Sequence, residues 1–251
     1  MSVNGLVGKV QTVLGTIDPE DLGVTLPHEH FLADLSTRFI EPEEASGKLL
    51  ARQPVSREIM GWLRYHPMNN FDNLQVFDEQ IAVSEGLRFK QFGGNSVVDV
   101  TNIGICRDPS GLARIARATG LNVIMGCGYY SYQTWAPGIK LSEEAITGEI
   151  VRDITVGVGN TGIRAGIIGE IGTEWPICDE EKMSLRASAR AQKQTGASIN
   201  VHSGCSPDCP FEIVDVLDKA GADINRVVIS HIDSRVFAHE TRVKLAKTGC
   251  Y

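Results

Sequence analysis

Residues 96–101 read Ser96-Val97-Val98-Asp99-Val100-Thr101, a short β-rich run, and Asp108-Pro109 follows as helix N-cap and first helical residue. Leu112, Ile115 and Ala116 then recur on one helical face, and Gly120 ends the helix. The same unit repeats downstream. Asn122–Cys127 is a strand leading to Gly128-Tyr129-Tyr130, and Ser142 starts a helix with Ile146, Ile150 and Ile154 four residues apart. Arg164–Gly172 is a strand, with a helix capped by Asp179 and stopped at Gly196. Ala197–His202 is a strand, with a helix opened by Pro210 and closed by Gly221. Arg226–His231 is a strand, with a last helix around Val236 to Lys247. Such alternation builds right-handed βαβ units on a parallel sheet. Short, continuous apolar strands fit a sheet whose outside is covered by helices. An open doubly wound sheet and an eight-stranded barrel both satisfy the pattern. The Gly-rich phosphate fingerprint of the open dinucleotide fold is missing after the first strand, which favours the barrel.

Upstream, residues 7–16 form a short strand that turns at Asp18-Pro19-Glu20-Asp21. Gly23-Val24-Thr25-Leu26-Pro27-His28-Glu29-His30 is the next strand. Between it and residue 96 the chain is broken by Pro42, Pro54 and Pro67, with a short helix at Arg57–Tyr65. Asp72 and Gln75 resemble a capping box for a helix that places Leu74, Phe77 and Ile81 on one face and stops at Gly93-Gly94. This excursion, at about residues 35–95, reads as an insertion on the rim of a single domain spanning 1–251.

The 251 residues are 42% apolar and 22% charged, the composition of a globular domain with ample core. A net charge of −7 argues against nucleic acid and anionic membranes as partners. No apolar run approaches the ~18 residues of a membrane span. Met1–Gly5 lacks the basic flank and long apolar core of a secretory signal. Six scattered cysteines without a framework point to free thiols in the cytoplasm.

In a βα barrel, chemistry sits at the C-terminal ends of the strands. There this sequence carries His28 and His30, Glu170, His202 and His231. In an extended strand His28 and His30 share a face and Glu29 points away. One histidine at a strand end is more often a hydrogen-bonded structural residue than a ligand, and Glu170 alone could cap a helix. The joint placement of four histidines and a carboxylate on one rim is what points to metal. Imidazole suits zinc and other borderline divalent ions. His28 and His30 would hold one ion, His202 and His231 a second, with Glu170 bridging. Two ions so bridged acidify a water and polarise the bond under attack. Tyr129 and Tyr130 are candidates for the substrate pocket, although packing under a loop explains them equally. Arg235, just past His231, could contact a polar substrate group but reads more readily as a surface ion pair; Cys205 and Cys209 read as loop thiols, His66 and His239 as solvated, and Asp233 as a helix cap or a support for a ligating histidine.

Gly23-x-Thr25-Leu26-x-His28-Glu29-His30 resembles the first signature of the phosphotriesterase family, within the amidohydrolase superfamily. The similarity continues through Val98-Asp99-Val100-Thr101, Gly126–Tyr130, Ala165–Ile168, Val201-His202 and Ser230-His231. It implies a distorted α/β barrel of the (β/α)8 TIM type with a binuclear metal centre, zinc being the expected metal. It also implies a hydrolase in which a metal-bound hydroxide attacks an ester, lactone, amide or phosphotriester of a small-molecule substrate in a catabolic process. Many members bridge the ions with a carboxylated lysine on the fourth strand. Here Glu170 stands in its place, as in a glutamate-using branch, but offset by one residue. Since a one-residue slip reverses a side chain's face, a local bulge is required. The glutamate and the long insertion favour a carboxylic ester, lactone or N-acyl amide over a phosphotriester. The family's aspartate at the end of strand eight has no counterpart, because the sequence stops at Tyr251, about where strand seven would begin. The expectation is therefore a barrel truncated after about six strands, with unpaired edges, a fragment of a longer protein with a weakened site. The alternative reading is a non-catalytic metal- or small-ligand-binding barrel. Rim insertions often serve dimer contacts, which leaves a homodimer open as the assembly.

Overall fold

The structure is a computed structural model that describes residues 7–236 and 238–251. Residues 1–6, which include the segment read above for a signal, lie outside the described residues. β1 (Val10–Thr12) and β2 (Gly15–Ile17) form an antiparallel hairpin where the sequence suggests one strand. β3 (Val24–Glu29) carries the first histidine. The excursion then runs through β4 (Ala33–Asp34), α1 (Ala45–Ala51), α2 (Met60–Leu63) and β5 (Gln75–Val76), with β4 and β5 paired antiparallel across its base.

The expected capping box at Asp72 does not start a helix. Residues 72–74 make one 3-10 turn, and α3 (Glu79–Gln91) begins at Asp78, whose carboxylate accepts from the backbone of Gln80 and Ile81. The face buried by α3 is Ala82 and Gly86, while Phe77 and Ile81 stay more than half exposed.

From here the expected rhythm holds: β6 (Gly94–Asp99), α4 (Pro109–Thr119), β7 (Asn122–Cys127), α5 (Glu143–Thr155), β8 (Ile167–Gly172), α6 (Asp179–Thr195), β9 (Ile199–His202), α7 (Cys209–Lys219) and β10 (Val227–Ser230). Local chemistry sets the boundaries. Asp108 accepts from Gly111 at 2.9 Å and Ser142 from Ala145 at 3.2 Å as N-caps, while Gly120 and Gly196 take the left-handed turn that ends α4 and α6. Cys178, not Asp179, is the N-cap of α6. The single helix expected over Val236–Lys247 is instead a turn, α8 (Ile232–Arg235), followed by α9 (His239–Ala246). Phe237, within that span, lies outside the described residues.

Six strands form one parallel sheet in the order β10-β9-β8-β7-β6-β3, a curled half-barrel of the TIM type. The curl brings its two edges together at one end: Ser230 Oγ on β10 lies 3.1 Å from His28 Nδ1 on β3. Leu112, Ile146, Ile150, Leu185, Ile213 and Leu217 on the helices are fully buried against Val123, Ile168, Ile199 and Val227 of the sheet. Each such side chain contributes about 1.5–3 kcal/mol by leaving water. Other buried residues are polar: Asp99, Thr101, Asn102, Glu170 and Ser230 lie toward or just past the strands' C-terminal ends, and Asn200 lies within β9. A buried Arg107–Asp153 ion pair, 2.8 Å long, ties the loop after β6 to α5. No helix among the described residues is long and apolar enough to cross a membrane.

Candidate metal centre

All five residues expected at the rim converge. Glu170 Oε1 lies 2.8 Å from His202 Nδ1, 2.9 Å from His231 Nε2 and 3.4 Å from His28 Nε2, and Oε2 lies 3.7 Å from His30 Nε2. His28 and His30 share a face as the period of two requires, their rings 5.5 Å apart. Glu29 turns to the outer groove beside Phe89 and Val97. His231 has a φ of +65°, a left-handed conformation that costs a non-glycine residue about 1–3 kcal/mol. That turn takes the chain from β10 directly into α8 while its imidazole stays on Glu170.

The bulge required for Glu170 is present. Cys127 pairs with both Ile168 and Gly169, and the pairing with β9 advances three residues on β8 for two on its partner, from Ile168↔Ile199 to Ile171↔Val201. The extra residue re-aims the Glu170 side chain into the barrel. Two glycines permit it. Gly169 has a φ of +125°, and a Cβ on Gly126 would stand 2.0 Å from the Gly169 carbonyl oxygen. Glu170 N–H donates to Val100 O at 2.9 Å, and the Asn102 amide donates to the Glu170 carbonyl.

The hydrogen bonds fix the tautomer of His28. The Ser230 hydroxyl gives its proton to Asn200 Oδ1 at 3.0 Å, so toward His28 Nδ1 it acts as acceptor. The Thr101 hydroxyl lies 2.9 Å from His30 Nδ1, and the Thr101 backbone N–H donates to Asp99 Oδ1 at 3.1 Å. The His28 ring therefore carries its proton on Nδ1 and presents the Nε2 lone pair to Glu170. Lone pair then faces carboxylate oxygen, and His28 Nε2 is buried without a hydrogen-bond partner. Two acceptors held this close call for a cation between them.

The electrostatics agree. Burial lowers His28 and His30 against the pull of Glu170, His30 to about 4, so both are neutral ligands at pH 7. Burial pushes Glu170 upward, but hydrogen bonds from His202 and His231 and the nearby imidazole charges outweigh it and hold the carboxyl below its usual range. The ligand atoms of His28, His30 and Glu170 lie within 4.8 Å of one another, as do those of Glu170, His202 and His231. Glu170 belongs to both groups. The nitrogen and oxygen donors, the preset His28 tautomer and its orphaned Nε2 fit a pair of borderline divalent ions.

The tyrosines divide. Tyr130 OH lies 3.2 Å from His202 Nδ1, at the site. Tyr129 OH turns away, to Glu149 of α5 at 2.6 Å. His66 stacks on Trp62 away from the site, and Cys209 is buried against Thr173. Arg235 makes no surface ion pair among the described residues, contacting Cys205 instead. Thr101 and Ser230 take the supporting part considered for Asp233. Sequence reasoning passes over both hydroxyls, although each stands next to, or just past, a strand end already under scrutiny.

Comparison with known proteins agrees with this geometry. The model of the phosphotriesterase family matches residues 8–251. A phosphotriesterase-related protein of Nematostella vectensis is 41% identical over 248 residues, 97% of this chain and 71% of that protein. An N-acetyltaurine hydrolase of Xenopus tropicalis is 39% identical over 251 residues, 99% of this chain and 72% of that protein. The crystal structure of a resiniferatoxin-binding protein from Rhodobacter sphaeroides superposes with a TM-score of 0.94 at 36% identity, covering 97% of this chain and 68% of that one. With the half-barrel, the strand-end histidines and these likenesses in agreement, the chain belongs to the phosphotriesterase family, a family of hydrolases.

Proposed function

We propose that this chain, as one domain over residues 1–251, is a binuclear metal-dependent hydrolase of small N-acyl amides, of the kind N-acetyltaurine represents. The observation that carries the metal-dependent part is the preset Nε2 lone pair of His28, without a hydrogen-bond partner among the described residues and facing Glu170. The amide part is supported by relatives named N-acetyltaurine hydrolase, which match along 97–99% of this chain.

His28 and His30 would hold one ion, His202 and His231 the other, and Glu170 both; zinc is the metal proposed first. When bound, such a pair supplies an acidified water and a polarised acyl oxygen. The remaining work falls to side chains. Ser230 keeps His28 in the ligating tautomer, and Thr101 holds the His30 ring at Nδ1. Burial, with Glu170 nearby, raises Tyr130 well above its ordinary value, so its hydroxyl keeps its proton and can donate to the substrate beside His202. Tyr129, held by Glu149, shapes the wall behind it. Six free thiols support a reducing compartment, the cytoplasm. A homodimer through the 35–95 insertion is the assembly proposed.

The test is acetate release from N-acetyltaurine by protein loaded with zinc, cobalt or manganese, beside lactones and aryl phosphotriesters. Turnover of the amide, lost on chelation and restored by metal, is the expected result. Metal binding without turnover of any of the three would instead favour a ligand-binding barrel, a reading supported by the likeness to the resiniferatoxin-binding protein.

A further inference from the structure

Arg235 ends α8, four residues past His231. Its Nη1 meets the Cys205 thiol, and its Nε is buried with no hydrogen-bond partner among the described residues. A guanidinium has five N–H donors in a planar fork, and leaving a buried one unmet is costly. Arg38 stands nearby and is partly neutralised, pairing with Glu174 and reaching Ser131 Oγ at 3.4 Å. Both arginine charges act on the Tyr130 hydroxyl, which itself touches His202. In a chain of net charge −7, an arginine with no acidic partner among the described residues thus borders the His202–His231 side of the site.

We infer that Arg235, backed by Arg38, receives a terminal anionic group of the substrate, a sulfonate or carboxylate, and so selects N-acyl amides that end in an acid. The inference rests on the amide-hydrolase reading and deepens it. A fork of parallel N–H donors matches the oxygens of either anion, and charge-assisted bonds of this type are the strong ones. The anion would be met by the outer nitrogens of the guanidinium. Arg235 is a specificity residue in this scheme and takes no part in bond breaking.

Two readouts test it. The first is calorimetric binding of 1-propanesulfonate and of its neutral counterpart, methyl propyl sulfone, to the metal-loaded protein. The wild type should prefer the sulfonate, and Arg235→Met should lower the sulfonate-to-sulfone affinity ratio about 10- to 100-fold, the range of a charged hydrogen bond. Arg235→Lys, which keeps the charge but not the fork, should fall between. The second is the kcat/KM ratio of N-acetyltaurine over N-acetyl-2-(methylsulfonyl)ethylamine, where the loss should lie mainly in KM. Equal binding of sulfonate and sulfone by the wild type, or an equal loss of both in Arg235→Met, overturns the inference. Should Arg235→Met fail to fold, Arg235→Lys decides by the same ratio. Sulfonate preference that depends on Arg235, without hydrolysis of either amide, would uphold the anion receptor and sink the amide reading. Hydrolysis of both amides at equal efficiency would do the reverse.

Discussion

Ser230 Oγ lies 3.1 Å from His28 Nδ1 and so joins the two edge strands of the sheet through a single hydroxyl. Because that hydroxyl spends its proton on Asn200, it can only accept from the ring, and the Nε2 lone pair is left for a metal. Ser230→Ala should therefore weaken metal binding about 10- to 100-fold, the usual consequence of losing a ligand's outer partner. It should also cost about 1–3 kcal/mol, since a buried ring N–H and an amide oxygen lose their partners. Chelator competition against zinc reads the first effect and urea denaturation the second. Unchanged zinc affinity would mean that the tautomer is fixed by something else.

Gly126 is a position where the sheet has no room for a side chain. An added Cβ would stand 2.0 Å from Gly169 O, a backbone atom beside Glu170. Overpacking costs about 1–3 kcal/mol where side chains can shift, and here only backbone is available. Gly126→Ala should lie at or above the top of that range and should lower metal content along with stability. Elemental analysis of the purified variant, with its thermal midpoint, checks both. Full metal occupancy would show that the bulge accommodates a methyl group.

Much of this architecture is legible in sequence because each βα unit is local. Its apolar strand, its cap and its stop residue lie within a few tens of positions, and the ligands His202 and His231 mark where strands end. The His28–His30 pair is legible for the same reason, a period of two over three residues. The supporting bonds are not. Thr101 reaches His30 across 71 positions and Ser230 reaches His28 across 202, and no local pattern encodes which strands meet. Nor does helical periodicity tell which face turns inward. Phe77 and Ile81 suggest a buried stripe, but α4 and β6 pack on Ala82 and Gly86, and the larger residues stay in solvent. Arg235 reads first as a surface ion pair, and only the fold shows that no acid among the described residues pairs with it.

The Arg107–Asp153 pair, with both side chains about 95% buried, anchors the loop that follows β6 and so the Thr101 hydroxyl. Burial raises Asp153 against the pull of Arg107, the mark of a charge retained only because its partner is present. Asp153→Ala leaves the guanidinium uncompensated and should cost about 3–5 kcal/mol. For a domain of this size that is a drop of about 10 °C in Tm. The double variant Asp153→Leu/Arg107→Met, which removes both charges, should recover most of it. A double variant no more stable than the single would assign the loss to packing.

Two groups joined through Thr101 titrate against each other. In the metal-free protein His30 is held down at about 4 by burial, below its ordinary 6.5, so between those values the unfolded chain binds the extra proton. This contribution to stability is present above pH 6.5 and is lost as pH falls toward 4, by about 3 kcal/mol. Asp99 is pushed up by burial to about 6, from 3.8, so between those values the folded chain binds the extra proton. Its effect has the opposite sign: acidification from 6 to 3.8 stabilises, again by about 3 kcal/mol. The wild-type curve should accordingly show little slope from this pair. His30→Asn removes one member and leaves the other, so its urea-unfolding free energy, relative to wild type, should rise by about 3 kcal/mol between pH 6.5 and 4. Measurement in the presence of a chelator at half-unit pH steps resolves this. A difference between the two curves that stays constant with pH would mean that His30 titrates normally in the folded chain, and that its neutral state at pH 7 owes nothing to burial.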